Sequence, residues 1–158
     1  MFIKRFPTAK AIIKGSGDYE KIQGKVLFYP VNNMVLVCAS VYGFPKNQSF
    51  FHGFHIHEGG SCTGADLADT KRHYNPDRQA HPFHSGDLPP LLSCSGIAYM
   101  EVLTNRITIK EILGKTVVIH SGSDDFRSQP SGDSGEKIAC GVIKPICGRE
   151  KVFPCSSV

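Results

Sequence analysis

Short apolar runs bounded by Gly, Pro, Asn or Ser recur along most of this chain. They cover residues 10–14, 24–30, 34–42, 50–57, 94–103, 107–112, 115–120 and 137–143, and are rich in Val, Ile, Tyr, Phe and Thr. Those residue types fit a pleated, half-buried surface. No stretch sustains apolar spacing of i, i+3, i+4, i+7 long enough for a core helix. Eight short strands joined mainly by short turns predict an all-β fold, an eight-stranded antiparallel Greek-key sandwich or barrel.

Two connections break the short-turn rule. Residues 58–93 and 121–136 are polar, Gly/Pro-rich and without periodicity. Loops longer than about 12–15 residues are uncommon unless they carry function or are disordered. The length of 158 residues suits one domain, expected to span 1–158 with a core of about 9–144 and a C-terminal extension over 145–158.

The net charge of +4 comes without a basic cluster, which excludes nucleic acid as the expected partner. No apolar run approaches the ~20 residues that span a bilayer as a helix. The opening Met-Phe-Ile-Lys-Arg-Phe-Pro is too poor in apolar residues for a secretory leader. The expectation is therefore a cytoplasmic protein, or an extracytoplasmic one if a leader was removed ahead of Met1. The six cysteines include no Cys-x-x-Cys and are too sparse for a disulfide scaffold that replaces a core.

The histidines change the picture most. His55 and His57 share one strand face, since side chains at i and i+2 project together. His120 ends an apolar run and could join them from a second strand. In the first long loop, His73, His81, His84 and Asp87 offer three nitrogens and one oxygen, a closed tetrahedral zinc shell. Imidazole suits copper, zinc, iron and nickel. His52 has the opposite strand parity and is expected to be structural. Phe28, Tyr29 and residues 35–37 are expected in the core or on a dimer surface.

Gly53-Phe-His-Ile-His-Glu58, His73-Tyr-Asn-Pro76, His84-Ser-Gly-Asp-Leu88, Val117-Val-Ile-His120 and Ala139-Cys-Gly-Val142 together resemble the ordered motifs of copper/zinc superoxide dismutases. The resemblance covers about residues 9–144. It implies copper on His55, His57, His73 and His120, and zinc on His73, His81, His84 and Asp87, one ion of each per chain with His73 shared. It implies that Asp124 hydrogen-bonds ligands of both sites, His55 and His81, and that Cys62 and Cys140 form a disulfide. The implied activity is dismutation of superoxide to dioxygen and hydrogen peroxide, with His73 and water delivering protons.

The sequence departs from the family at Lys137, where an arginine is expected. Lysine lacks the planar fork that orients an anion through two donors. Lys137 is expected to act electrostatically, with lower or more salt-sensitive turnover. The loop 121–136 looks short and mixes Arg127 with Asp125, Asp133 and Glu136, so it promises no clear guidance of an anion. The competing function is a non-catalytic copper/zinc-binding protein of the same fold, a chaperone or metal buffer. Superoxide, a second copy and a copper-delivering protein are the partners weighed, and the pairing of Cys38, Cys94, Cys147 and Cys155 stays open.

Overall fold

In the computed structural model, which describes residues 6–46 and 50–147, eight antiparallel strands close into one barrel. They are β1 (Ala9–Gly15), β2 (Gln23–Val31), β3 (Met34–Tyr42), β4 (Phe50–His57), β5 (Asp87–Cys94), β6 (Ile97–Thr104), β7 (Thr116–His120) and β8 (Lys137–Pro145). The order around the barrel is β1-β2-β3-β6-β5-β4-β7-β8. The jump from β3 to β6 and the return through β4 to β7 make the Greek key, and closure leaves no edge strand unpaired. No helix among the described residues is long and apolar enough to cross a membrane.

The barrel interior holds Val26, Phe28, Val37, Phe54, Ile56, Leu91, Val117, Ile119 and Ile143, all buried. Phe28, Val35 and Val37 are thus core residues and leave no dimer surface at those positions. Tyr29 packs instead with Leu27, Leu36 and Cys38 in a second, smaller cluster.

Two sequence expectations are corrected. The run 107–112 is not a strand: Ile109–Ile112 forms one helical turn, α1. Thr108 accepts from the Glu111 backbone N–H while the Glu111 carboxylate reaches back to the Thr108 N–H, a reciprocal cap that favours helix. In its place the eighth strand comes from within the expected first loop. Residues 87–94 form β5, so that loop ends at residue 86, and the expected strand 94–103 starts instead at Ile97 after a Ser95-Gly96 turn.

Pro89 and Pro90 hid β5, because proline cannot donate to a ladder. They fit here because the β4–β5 register jumps from His52↔Leu91 to Phe54↔Leu88, setting two prolines opposite the single residue Gly53. The β5–β6 ladder pairs only at Ser93 and Cys94, so β6 asks no donor of the prolines either. The second long loop does run 121–136, between β7 and β8. Residues 148–158, most of the expected C-terminal extension including Cys155, lie outside the described residues. Cys94 and Cys147 are free, exposed thiols.

Candidate metal centre

On β4, Phe54 and Ile56 point into the core, so His55 and His57 point outward, yet all four are buried. The two long loops cover that outer face. Loop 58–86 is stitched back onto β4 by Ile56 N–H to Gly86 O (2.9 Å), Tyr74 N–H to Ile56 O (2.8 Å) and Glu58 N–H to Arg72 O (2.9 Å). An isolated bridge sets His73 opposite His57. Loop 121–136 reaches β4 through Gly53 N–H to Gly122 O at 2.7 Å. A Cβ on Gly53 would strike Ser134, so glycine at the bulge is what allows this approach. The Cys62–Cys140 disulfide, Cα–Cα 5.7 Å, fastens the first loop to β8.

This scaffold brings the predicted ligands into two groups sharing His73. His55, His57, His73 and His120 each offer a nitrogen, and these atoms lie within 4.8 Å of one another. His73, His81, His84 and Asp87 do the same. His52 joins neither: its Nδ1–H donates to the His120 carbonyl at 3.0 Å and its ring stacks on Phe44. It braces β4 against the end of β7.

Hydrogen bonds at the outward nitrogens decide which atoms face the two groups. His57 Nδ1–H donates to Lys71 O (2.9 Å), and His120 Nδ1–H donates to Gly135 O (3.2 Å). A carbonyl only accepts, so both protons sit on Nδ1. The two Nε2 lone pairs then face each other at 3.3 Å, an arrangement that repels unless a cation lies between them. His55 Nε2–H donates to Asp124 Oδ2 at 2.7 Å, and His81 Nε2–H donates to Asp124 Oδ1 at 2.9 Å. One carboxylate therefore turns a bare Nδ1 into each group. Phe126 N–H fixes the same carboxylate at 2.7 Å, and Gly132 passes so close that a Cβ there would overlap Asp124 Oδ1.

A metal fits this arrangement. His55 Nδ1, His73 Nε2 and His81 Nδ1 are buried without a hydrogen-bond partner, a costly state unless an ion binds them. In the second group, Asp87 oxygens stand 2.8 Å from His73 Nδ1, 3.1 Å from His81 Nδ1 and 3.2 Å from His84 Nδ1.

Electrostatics favour the neutral form of His55, His57, His84 and His120 and the ionised form of both carboxylates, as metal binding requires. Burial pushes His57 well below its usual value and His120 down to about 3, with neighbouring imidazoles adding to the effect. Burial would raise Asp124, but hydrogen bonds from His55, the Phe126 N–H and His81 outweigh it and hold the carboxyl below the usual range. Asp87 is lowered likewise: burial opposes, and the His73 hydrogen bond and nearby imidazoles prevail.

These shifts set an acid limit. Above the ordinary histidine value of 6.5, neither folded nor unfolded chain protonates His57 or His120, and stability is full. As pH falls from 6.5 toward about 3, the unfolded chain takes up protons that the folded chain refuses. Each imidazole then removes up to about 1.4 kcal/mol per pH unit. The urea midpoint of the metal-free protein should fall steadily across that window. A flat midpoint between about pH 6.5 and 4.5 would contradict the buried neutral rings.

Lys137 is half-buried at the start of β8. Its ammonium donates to Thr70 Oγ1 (2.8 Å), Lys71 O (3.1 Å) and Leu67 O (3.5 Å). Burial lowers its pKa. The Lys71 carbonyl accepts from both Lys137 and His57, tying that charge to the first histidine group. His57, His73 and His120 open onto a pocket that Lys137 lines with Lys71, Arg72 and Arg78. Sequence reasoning missed those last three, although Lys71-Arg72 directly precedes His73. Loop 121–136 contributes only uncharged residues to the pocket, and Asp125 caps its own turn through the Arg127 and Ser128 N–H groups.

The copper/zinc superoxide dismutase family model matches residues 22–143. The chain belongs to that family. It is 35% identical over 140 residues to Cu-Zn superoxide dismutase 1 of Aquifex aeolicus, covering 79% of this chain and 81% of that protein. It is 40% identical over 111 residues to the Cu-Zn superoxide dismutase of Photobacterium leiognathi, covering 59% and 64%. It is also 29% identical over 160 residues to the copper chaperone for superoxide dismutase of Rattus norvegicus, covering 92% of this chain and 56% of the chaperone. Membership in the copper/zinc superoxide dismutase family implies copper and zinc as the metals, and the two histidine groups suit both.

Proposed function

We propose that this protein converts two superoxide anions and two protons to dioxygen and hydrogen peroxide. One observation carries the reading: the four-histidine group opens, through His57, His73 and His120, onto a pocket where Lys71, Arg72, Arg78 and Lys137 outnumber the single carboxylate, Glu58, which pairs with Arg72 at 3.7 Å. Such a pocket concentrates a small anion at the buried nitrogens. His73 and His84 of the group containing a carboxylate also line that pocket, while His81 and Asp87 do not.

His55, His57, His73 and His120 would hold copper, and His73, His81, His84 and Asp87 would hold zinc, whose preference for a closed N/O shell they match. Bound copper supplies a one-electron couple, and bound zinc a fixed charge that is not reduced. The protein's own part is positioning and charge. Asp124 and two backbone carbonyls point ring lone pairs inward. His73 Nε2, a buried atom without a hydrogen-bond partner whose ring's other nitrogen faces Asp87, would hold and release a proton beside the pocket. Lys137 spends its donors on loop 58–86, so it contributes a fixed positive charge and an anchored loop.

Lys137→Ala should lower superoxide consumption about tenfold at low ionic strength and flatten its salt dependence, compared at equal copper and zinc loading. An unaltered rate and salt response would remove Lys137 from the mechanism. The resemblance to the rat chaperone favours a second reading, copper handling without turnover. Metal analysis combined with a superoxide-consumption assay separates the two. One copper and one zinc per chain with fast turnover supports the dismutase; full loading without turnover supports the metal-binding protein.

A further inference from the structure

The outer face of an antiparallel sheet keeps its side chains partly wet unless something lies on it. On this barrel Ile12 of β1, Tyr42 of β3 and Leu103 of β6 face outward and are 52%, 50% and 47% exposed. Leu27 and Tyr29 of β2 and Cys38 of β3 face outward too, since Val26, Phe28 and Val37 fill the interior. Yet these three are only 1%, 9% and 0% exposed. Leu36 packs beside them, and the Cys38 sulfur stands 4.0 Å from the Tyr99 hydroxyl and 3.7 Å from Glu101 Oε1. Lateral neighbours of that kind do not dry a sheet face: Leu103, opposite Leu36 in the ladder, stays half-exposed. So dry a spot on an outer wall requires a cover.

Cysteine pairing selects it. Of the six cysteines, Cys62 and Cys140 bond to each other, Cys94 and Cys147 are free thiols, and Cys38 is held in a disulfide. Within this chain that leaves Cys155 as its partner. Register sets Lys144 opposite Lys10, Lys10 opposite Leu27 and Leu27 opposite Cys38. Cys38 therefore stands three strand spacings, about 14 Å, across the wall from Lys144. Ile146 N–H still donates to Thr8 O beside β1 at 2.9 Å. From Cys147 to Cys155 an extended chain reaches up to about 26 Å, ample for that crossing. Val152 and Phe153, shortly before Cys155, form an apolar pair suited to Leu27 and Tyr29. We propose that residues 148–158 cross the outer wall over β1 and β2 and are clasped to β3 by a Cys38–Cys155 disulfide, with Val152 and Phe153 covering Leu27 and Tyr29. Forming the clasp takes two protons and two electrons from the two thiols and passes them to a disulfide-bearing donor, which leaves as a dithiol. No ligand of either metal group lies on β1, β2 or β3, so the clasp opens without touching the metal centre.

Peptide mapping of the metal-loaded full chain tests the pairing. After free thiols are alkylated in denaturant without reductant, trypsin should yield peptide 26–46, which carries Cys38, joined to peptide 152–158, and reduction should release both. Cys38 joined to any other cysteine, or joined to Cys155 only in a species of twice the 17.3 kDa of one chain, would overturn the clasp. The cover is read by hydroxyl-radical footprinting of a chain carrying both Cys155→Ser and Phe153→Asp, which loses the tether and the apolar contact together. Oxidation of Leu27 and Tyr29 should rise about fivefold over wild type, with Ile12 unchanged as the exposed reference and Phe28 still protected inside the barrel. Leu27 and Tyr29 as protected as in the wild type would show that a different segment covers them.

Discussion

Asp124→Ala is expected to weaken both metal sites together, by about 10–100-fold each. The carboxylate accepts from His55 on one oxygen and from His81 on the other, and those two imidazoles belong to different ligand groups. Its removal leaves two buried N–H donors without acceptors, at about 1–3 kcal/mol each. It also frees each ring to move its proton onto the nitrogen that should face the metal. Asp124→Asn separates the two effects. Phe126 N–H holds the amide oxygen at the Oδ1 position, where it still accepts from His81. The amide NH2 then faces His55 Nε2 and forces that proton to Nδ1, the orphaned atom of the four-histidine group. Chelator competition, followed separately for copper and zinc, should show both affinities reduced in the alanine variant and copper preferentially reduced in the asparagine variant. Affinities within twofold of wild type would show that Asp124 does not orient the ligands.

Cys62→Ser, or reduction of the wild type, should cost about 4–5 kcal/mol in unfolding free energy, the chain-entropy value for a closed loop of 78 residues. That is a large share of the roughly 5–15 kcal/mol by which domains are stable. The consequence extends beyond stability. Between Cys62 and His73, loop 58–86 presents the Leu67 and Lys71 carbonyls and the Thr70 hydroxyl that hold Lys137, and the Lys71 carbonyl also orients His57. Loosening the loop should therefore lower copper affinity as well as the urea midpoint, and zinc affinity less. A midpoint shift worth under about 1 kcal/mol would mean that the backbone bonds of the loop to β4 suffice without the covalent tie.

The strand pattern was legible where short runs of β-favouring residues sit between turn residues, as in β3 and β4, whose bounds match their apolar runs. It failed at β5, where Pro89-Pro90 argues against a strand until the bulge opposite Gly53 is seen. It failed again at α1, where a one-turn helix fixed by the Thr108–Glu111 cap is too short for any periodicity. The two misreadings offset each other, so the strand number stood while the first loop shrank to residues 58–86. The two candidate metal-binding groups were legible for a different reason: imidazole-rich sites need particular residue types, and few other uses would gather six histidines.

The sequence by itself determined the barrel class, the family and the residues able to bind metal, because alternation, turn residues and ligand chemistry are local properties. Tertiary structure alone decided which nitrogen of each ring faces inward, because that choice rests on acceptors far away in the chain: Asp124 for His55, Lys71 O for His57, Gly135 O for His120. It alone set Lys71, Arg72 and Arg78 around the pocket, and gave Lys137 its three anchors. Charge acts through space, and only the folded loop sets those side chains around the pocket.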